Sequence, residues 1–201
     1  EFEVLACCDT LRKNAEASAA KIAAFQGRAP AVFGSLEELI AARVAQAADV
    51  CLPHGFHHGA AVGLLEGGLH VLCEKPLGIT IKASRRIIQA ARKAGRILAT
   101  AENTRRSPSS RALCWAIREA GLIGRIRAVH VHDTNFQPFD LENPSFKWRC
   151  AKLITGGGLR MDSGAHFADM SMRLFGDTFS NTATAAARSS SLRSAMRWIS
   201  A

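Results

Sequence analysis

Asp162, His166 and Asp169 fall at intervals of four and three residues in "RMDSGAHFADMSMRLF", so a helix through them puts a carboxylate about one turn to either side of an imidazole. A carboxylate within reach of an imidazole fixes its tautomer and raises its basicity, as a general base working near neutral pH requires. The same residues also read as a helix-terminal aspartate favoured by the macrodipole, beside a histidine at the edge of the core. A second group ends the apolar run "LHVLCEKPLGIT", where Glu74, Lys75 and Pro76 stand together. Proline stiffens the backbone there and holds the Lys75 amine near apolar surroundings. Such an amine can donate to a substrate oxygen or stabilise a developing alkoxide. The alternative is a strand-end lysine paired with Glu74. A third candidate is Asp9, which closes the first apolar run and suits the hydroxyls of an adenosine ribose. It equally suits the N-cap of the helical stretch that begins at Leu11.

The elements that position these groups alternate in type. The run "EVLACCD" reads as a strand, and Leu11 to about Phe25 as a helix with Ala15, Ala19, Ile22 and Ala23 at helical spacing. "AVF" and "SLEELIAA" repeat the theme, with Ser35 as N-cap and Glu38 as its capping-box partner. "ADVCLP", a helix from about His57 to Glu66, "HVLCE", a helix from about Ile81 to Lys93, "RILAT", a helix from Ser109 to Glu119 and "RIRAVHVHDT" continue it. This predicts an α/β fold with a doubly wound parallel sheet. Ligands bind outside the carboxyl ends of the strands in such sheets, and there the sequence places Asp9, Pro53 to His57, Glu74 to Pro76, and Glu102 with Asn103.

"NFQPFDLENPSFKW" breaks the periodicity and reads as a loop, followed by a glycine-rich approach and a helix from about Asp162 to Phe175. From Ser180 the text is rich in Ser, Ala and Arg, and reads as a poorly ordered tail.

Composition narrows the classes of function. With 48% hydrophobic and 21% charged residues among 201, the chain has the balance of a globular protein. Nothing approaches a membrane span, and the first residues lack the plan of a signal peptide, which predicts a cytoplasmic protein whose beginning lies outside this chain. The six cysteines form no C-x-x-C pair and read as reduced structural thiols, with no metal site. A formal charge of +9 and an arginine cluster from Arg85 to Arg111 raise nucleic-acid binding, but aromatic residues are only 6% and none interleaves the cluster as a stacking platform. The cluster therefore reads as a solvated face or a site for anionic ligands, and no nucleic-acid or membrane partner is expected.

Two longer stretches, "CLPHGFHHGAAVGLLEGGLHVLCEKPLGIT" and "GGGLRMDSGAHFADMSMRLFGD", resemble the glucose-fructose oxidoreductase, inositol dehydrogenase and MocA family of NAD(P)-dependent oxidoreductases. "AENTRRSP" and "GLIGRIRAVH" match the run between them, so the likeness covers roughly Phe2 to Asp177. The resemblance implies a Rossmann-type domain over residues 1–103, the start of an α/β substrate and oligomerisation domain over 104–179, and a tail over 180–201 that does not resemble the family. Lys75 would hydrogen-bond the substrate oxygen, Asp162 would position substrate or imidazole, and His166 would take the hydroxyl proton. Glu74 and Pro76 would shape the nicotinamide side of the pocket, after a Lys75–Pro76 bond that is cis in relatives. Pro53, His57 and Asn103 would line the cofactor cleft with Asp9, and Trp148 with Arg149 resembles a pair found in some members.

Only eight residues precede Asp9, so the first strand and the glycine-rich phosphate loop are expected to lie outside this chain, and the substrate domain to be incomplete. The reaction implied is hydride transfer between a secondary hydroxyl of a sugar, inositol or related polyol and NAD or NADP. Asp9 favours the free 2′-hydroxyl of NAD, whereas Arg12 could pair with a 2′-phosphate. Homo-oligomers are implied for the complete protein. The competing reading is a non-catalytic remnant that serves as a binding or oligomerisation module.

Overall fold

The structure, a computed structural model, describes residues 2–126 and 143–175. The chain divides into two compact units. The first comprises the described residues up to Leu52, Phe56–Gly78 and Lys82–Thr100; the second comprises Pro53–Gly55, Ile79–Ile81 and the described residues from Ala101 onward.

In the first unit, strand β1 (Ala6–Cys8) pairs in parallel with β2 (Ala31–Phe33), Cys7 opposite Val32. Strands β3 (Ala47–Val50), β4 (His70–Glu74) and β5 (Leu98–Ala101, whose last residue falls in the second unit) form a sheet in that order, with β3 and β4 parallel and Val50 opposite Cys73. The alternation thus yields the expected α/β fold, but in sheets of two and three strands rather than one.

Helix α1 (Arg12–Gln26) packs on β1 and β2, and ends at Gly27 in the left-handed conformation with φ 78°. Its N-cap is Leu11, which makes no side-chain cap. Asp9 lies ahead of the cap and receives the Leu11 N–H on Oδ1 at 2.7 Å and the Asn14 amide on Oδ2 at 3.2 Å. Helix α2 (Leu36–Ala42) carries the expected cap: Ser35 Oγ accepts from the Glu38 N–H at 3.2 Å, while the Glu38 carboxylate reaches one residue further back, to the Gly34 N–H at 3.0 Å.

Helix α3 spans His54–Glu66, three residues earlier than the expected start at His57. Pro53 explains the difference, since a proline beside a first helical turn forfeits an N–H that has no intrahelical partner there. Helix α4 (Ile81–Ala94) follows the turn after β4. Gly78 allows that turn to close, because a Cβ there would stand 2.9 Å from the Ser84 nitrogen. Val50, Ala60, Ala61, Leu64, Leu65, Leu69, Val71, Cys73, Ile87, Ala90 and Ala91 form one core cluster. Burial, followed by the nearby Glu74 charge, pushes the Cys73 thiol up to about 12, as befits an unreactive structural thiol.

The second unit contains a 3₁₀ turn at Thr104–Arg106 and helix α5 (Pro108–Arg118), capped by the Ser107 hydroxyl on the Ser110 N–H at 3.2 Å. After α6 (Pro144–Lys147) and a 3₁₀ turn at Trp148–Cys150 come α7 (Lys152–Thr155) and α8 (Leu159–Phe175), which packs on α5. The sequence places the start of α8 at about Asp162; it begins three residues sooner, leaving Asp162 in the first turn. The strand expected over most of "RIRAVHVHDT", most of the following loop and the tail from Ser180 lie outside the described residues. No helix among the described residues is long and apolar enough to cross a membrane, and no group among them could hold a metal ion.

Candidate functional site

The glycine run ahead of α8 is organised by Thr155, which is fully buried. Its hydroxyl accepts the N–H groups of Gly157 at 3.4 Å and Gly158 at 2.6 Å, and donates to the Ala151 carbonyl at 3.1 Å. Gly156, at φ 77°, closes α7, and a Cβ on it would stand 2.8 Å from that of Ile79. This turn aims the first two turns of α8, which carry Asp162 and His166, while Asp169 follows further along.

His166 presents Nδ1 to the Glu102 carboxylate, at 2.7 Å from Oε1 and 2.9 Å from Oε2, with the Thr104 hydroxyl at 3.0 Å. The Thr104 backbone N–H also donates to Glu102 Oε1 at 2.9 Å. Burial by itself would raise the Glu102 carboxyl; the bonds from His166 and from the Thr104 N–H outweigh it and hold the carboxyl below its ordinary value. An ionised carboxylate only accepts, so the proton between it and His166 belongs to Nδ1, and in the neutral tautomer this leaves the lone pair on Nε2. The Glu102 side chain is 7% exposed and that of His166 is 26% exposed, so the carboxylate is enclosed while the imidazole is only partly so.

The expected carboxylate partner is therefore corrected. Asp162 engages Arg149 Nε at 3.3 Å through Oδ2 and His54 Nε2 at 3.5 Å through Oδ1. Arg149 in turn lies over the ring of Trp148, 4.6 Å from its centroid, and Trp148 meets His54 edge-on at 4.9 Å. Asp169 is held by Arg105, whose Nε donates to Oδ2 at 2.8 Å and whose guanidinium makes a second bond to Oδ1. Spacing of i and i+4 brings side chains to one face, but a guanidinium from another segment competes for the carboxylate, and a bidentate arginine is the stronger claimant on Asp169. Asn103 is exposed and precedes the 3₁₀ turn; Pro53 is half-buried at the approach to α3.

In the first unit, β4 delivers Glu74 and Lys75 at its carboxyl end. Glu74 turns its carboxylate onto the Lys75 backbone N–H at 3.0 Å, and the Lys75–Pro76 bond is cis. His57 is 0% exposed, with Nδ1 2.8 Å from the Pro76 carbonyl and Nε2 2.7 Å from the Leu52 carbonyl. Asp9 stands past the end of β1 with the two local bonds already described, and Arg12 pairs with Glu16 at 3.1 Å.

Glu102 and Thr155 are the groups whose roles sequence reasoning did not assign. Glu102 was visible as a polar residue ending a strand, but its link to His166 spans 64 positions. Thr155 carries no signal beyond its place before three glycines.

Residues 1–102 match the oxidoreductase family with an NAD-binding Rossmann fold, and residues 119–195 match that family's C-terminal alpha/beta domain. The chain is 36% identical over 135 residues to 1,5-anhydro-D-fructose reductase of Ensifer adhaerens, covering 67% of this chain and 39% of that protein. It is 28% identical over 176 residues to D-glucoside 3-dehydrogenase of Escherichia coli, covering 88% of this chain and 47% of the relative. Among solved structures, levoglucosan dehydrogenase in complex with NADH and levoglucosan is similar at a TM-score of 0.66 and 27% identity, over 84% of this chain and 44% of that one. The oxidoreductase domain protein from Kribbella flavida is similar at 0.69 and 30%, over 85% of this chain and 44% of that one. The chain spans less than half the length of each of these relatives. With its first half matched by the NAD-binding region and much of the remainder by the C-terminal region, the chain belongs to the glucose-fructose oxidoreductase, inositol dehydrogenase and MocA family of oxidoreductases.

Proposed function

We propose that the protein to which this chain belongs oxidises a secondary hydroxyl of a sugar, inositol or related polyol, or reduces the corresponding ketone, with NAD as its partner. The observation that carries this reading is the bond between Glu102 and His166 Nδ1, at 2.7 Å, which in the neutral ring makes Nε2 the basic nitrogen of a side chain that is 26% exposed. Membership of an NAD-binding family, and relatives named for sugar reduction and dehydrogenation, support the reaction class.

The donor and acceptor chemistry of the chain fits the dinucleotide. Each Asp9 oxygen takes one local donor, and a carboxylate offers about four lone-pair sites, so acceptor capacity remains for a ribose diol. The pairing of Arg12 with Glu16 supports NAD over NADP, because that guanidinium already has an anion. Pro53, Glu74 and Asn103 are assigned to the cofactor side by their match to the family's motifs, and so was His57, whose ring the structure encloses. The dinucleotide, when bound, supplies the hydride acceptor.

The residues of the chain carry the rest. His166 Nε2 takes the hydroxyl proton as the alcohol is oxidised and returns it when the ketone is reduced. Glu102 holds the Nδ1–H tautomer and favours the imidazolium that forms. Lys75 donates to the reacting oxygen and stabilises its developing charge. Asp162, tied to Arg149 and His54, positions substrate. Residues 1–103 would bind the dinucleotide and 104–179 begin the substrate domain, in a protein that acts as a homo-oligomer.

The test is NAD reduction by the full-length protein across a panel of sugars, inositols and polyols, with NADP in parallel. Substrate-dependent reduction that His166→Asn lowers by about 100-fold or more supports the reading. Substrate-dependent reduction that His166→Asn leaves intact, or none with any sugar or polyol, contradicts it.

A further inference from the structure

His57 is a polar group sealed inside the first unit, and its ring is committed at both nitrogens to backbone carbonyls. Leu52 follows β3 by two residues and Pro76 follows β4 by two, so these carbonyls belong to adjacent loops at the carboxyl ends of two paired strands. A carbonyl only accepts, so the ring donates to one loop in either neutral tautomer and to both as imidazolium. Lys75 sits between two restraints: its own N–H is taken by the Glu74 carboxylate at 3.0 Å, and the carbonyl of the next residue faces His57 at 2.8 Å.

We propose that His57 is a positioning residue, which ties the loop after β3 to the loop after β4 and thereby fixes the backbone from which the Lys75 side chain extends. A buried bond between ring and carbonyl is costly to leave unmade, so the alignment persists without help from solvent. Leu64, Leu65 and Cys73, all nearly or fully buried, pack the core of the same unit, so its scaffold does not depend on this ring alone. The inference rests on the role given to Lys75 under the proposed function, but its geometric part stands apart from turnover.

The experiment compares His57→Ala and His57→Gln with wild-type full-length protein, the glutamine amide being able to donate to one of the two loops. After reductive methylation with labelled formaldehyde, the NMR signal of dimethylated Lys75 is read without substrate. The inference predicts that it shifts in His57→Ala and moves less in His57→Gln; an unmoved signal in folded His57→Ala overturns it. In protein that turns over, His57→Ala lowers kcat by about 10-fold or more, and in a Lys75→Ala background the same substitution adds almost nothing, because its effect runs through the lysine. Equal losses in both backgrounds assign His57 to stability alone and overturn the inference. Wild-type protein without turnover would count against the proposed function, and the methyl signal would still decide the role of His57.

Discussion

His57 and His166 have opposite surroundings. His57 is sealed, and both nitrogens face carbonyl oxygens of its own unit. His166 is 26% exposed at its side chain and is held at one nitrogen by a carboxylate that is itself enclosed. Carbonyls on both sides use up a ring as a brace. A buried carboxylate on one side leaves the second nitrogen as a base, and the anion stabilises the cation that forms when a proton arrives. The imidazoles are chemically identical, so the different roles proposed for them, scaffold for His57 and base for His166, rest on which atoms occupy their edges.

That contrast can be broken most severely at His166. Replacement by Ala should lower kcat by about 100- to 10,000-fold, with the cofactor still bound, when turnover and NADH binding are measured on the same preparation. Next comes Glu102→Gln, whose amide retains the shape but not the charge. A loss of kcat of about 10-fold or more is expected, and His166→Ala on top of it should add less than in the wild-type background. An additive double variant would separate these groups and defeat the pairing.

Smaller effects are expected at Thr155 and from the titration of Glu102. Thr155→Val keeps the volume but strands the Gly157 and Gly158 N–H groups, and should cost about 1 to 3 kcal/mol in urea unfolding with an unchanged m-value. A Thr155→Ser variant should recover most of it. The smallest expected effect is the pH dependence of Glu102. Its carboxyl is held below the ordinary value in the folded protein, so its contribution is fully present above the unfolded value of about 4.3 and is lost as pH falls through the lowered folded value. The Tm difference between wild type and Glu102→Gln should therefore be constant near neutrality and narrow in acid. A difference that widens in acid would reverse the assigned sign.

Much of this arrangement was legible because its causes are local. The strand at His70–Glu74 announces itself by an apolar run ending in charge, and the Ser35 cap by a hydroxyl three residues ahead of a glutamate. Lys75 and His166 were legible as strand-end and helix-face groups, and their cis bond and carboxylate partner respectively complete the picture differently. The cis Lys75–Pro76 bond agrees with the family likeness. The partner of His166 was misread, because periodicity relates positions within one helix and is silent about a side chain 64 positions away. Asp162 shows the same limit from the other side: helical spacing put it near the imidazole, but Arg149 and His54 engage it. The split into separate sheets was likewise beyond reading by alternation, which orders elements along the chain and not across it.

The base proposed at His166 requires that Glu102 hold the proton on Nδ1 and leave the lone pair on Nε2. That requirement is tested most directly by long-range ¹H–¹⁵N correlation NMR of the His166 ring near neutral pH, in wild type and in Glu102→Gln. A protonated Nδ1 and an unprotonated Nε2 are expected in wild type, with that preference weakened in the variant. An unprotonated Nδ1 in wild type, or a tautomer indifferent to Glu102, would contradict it.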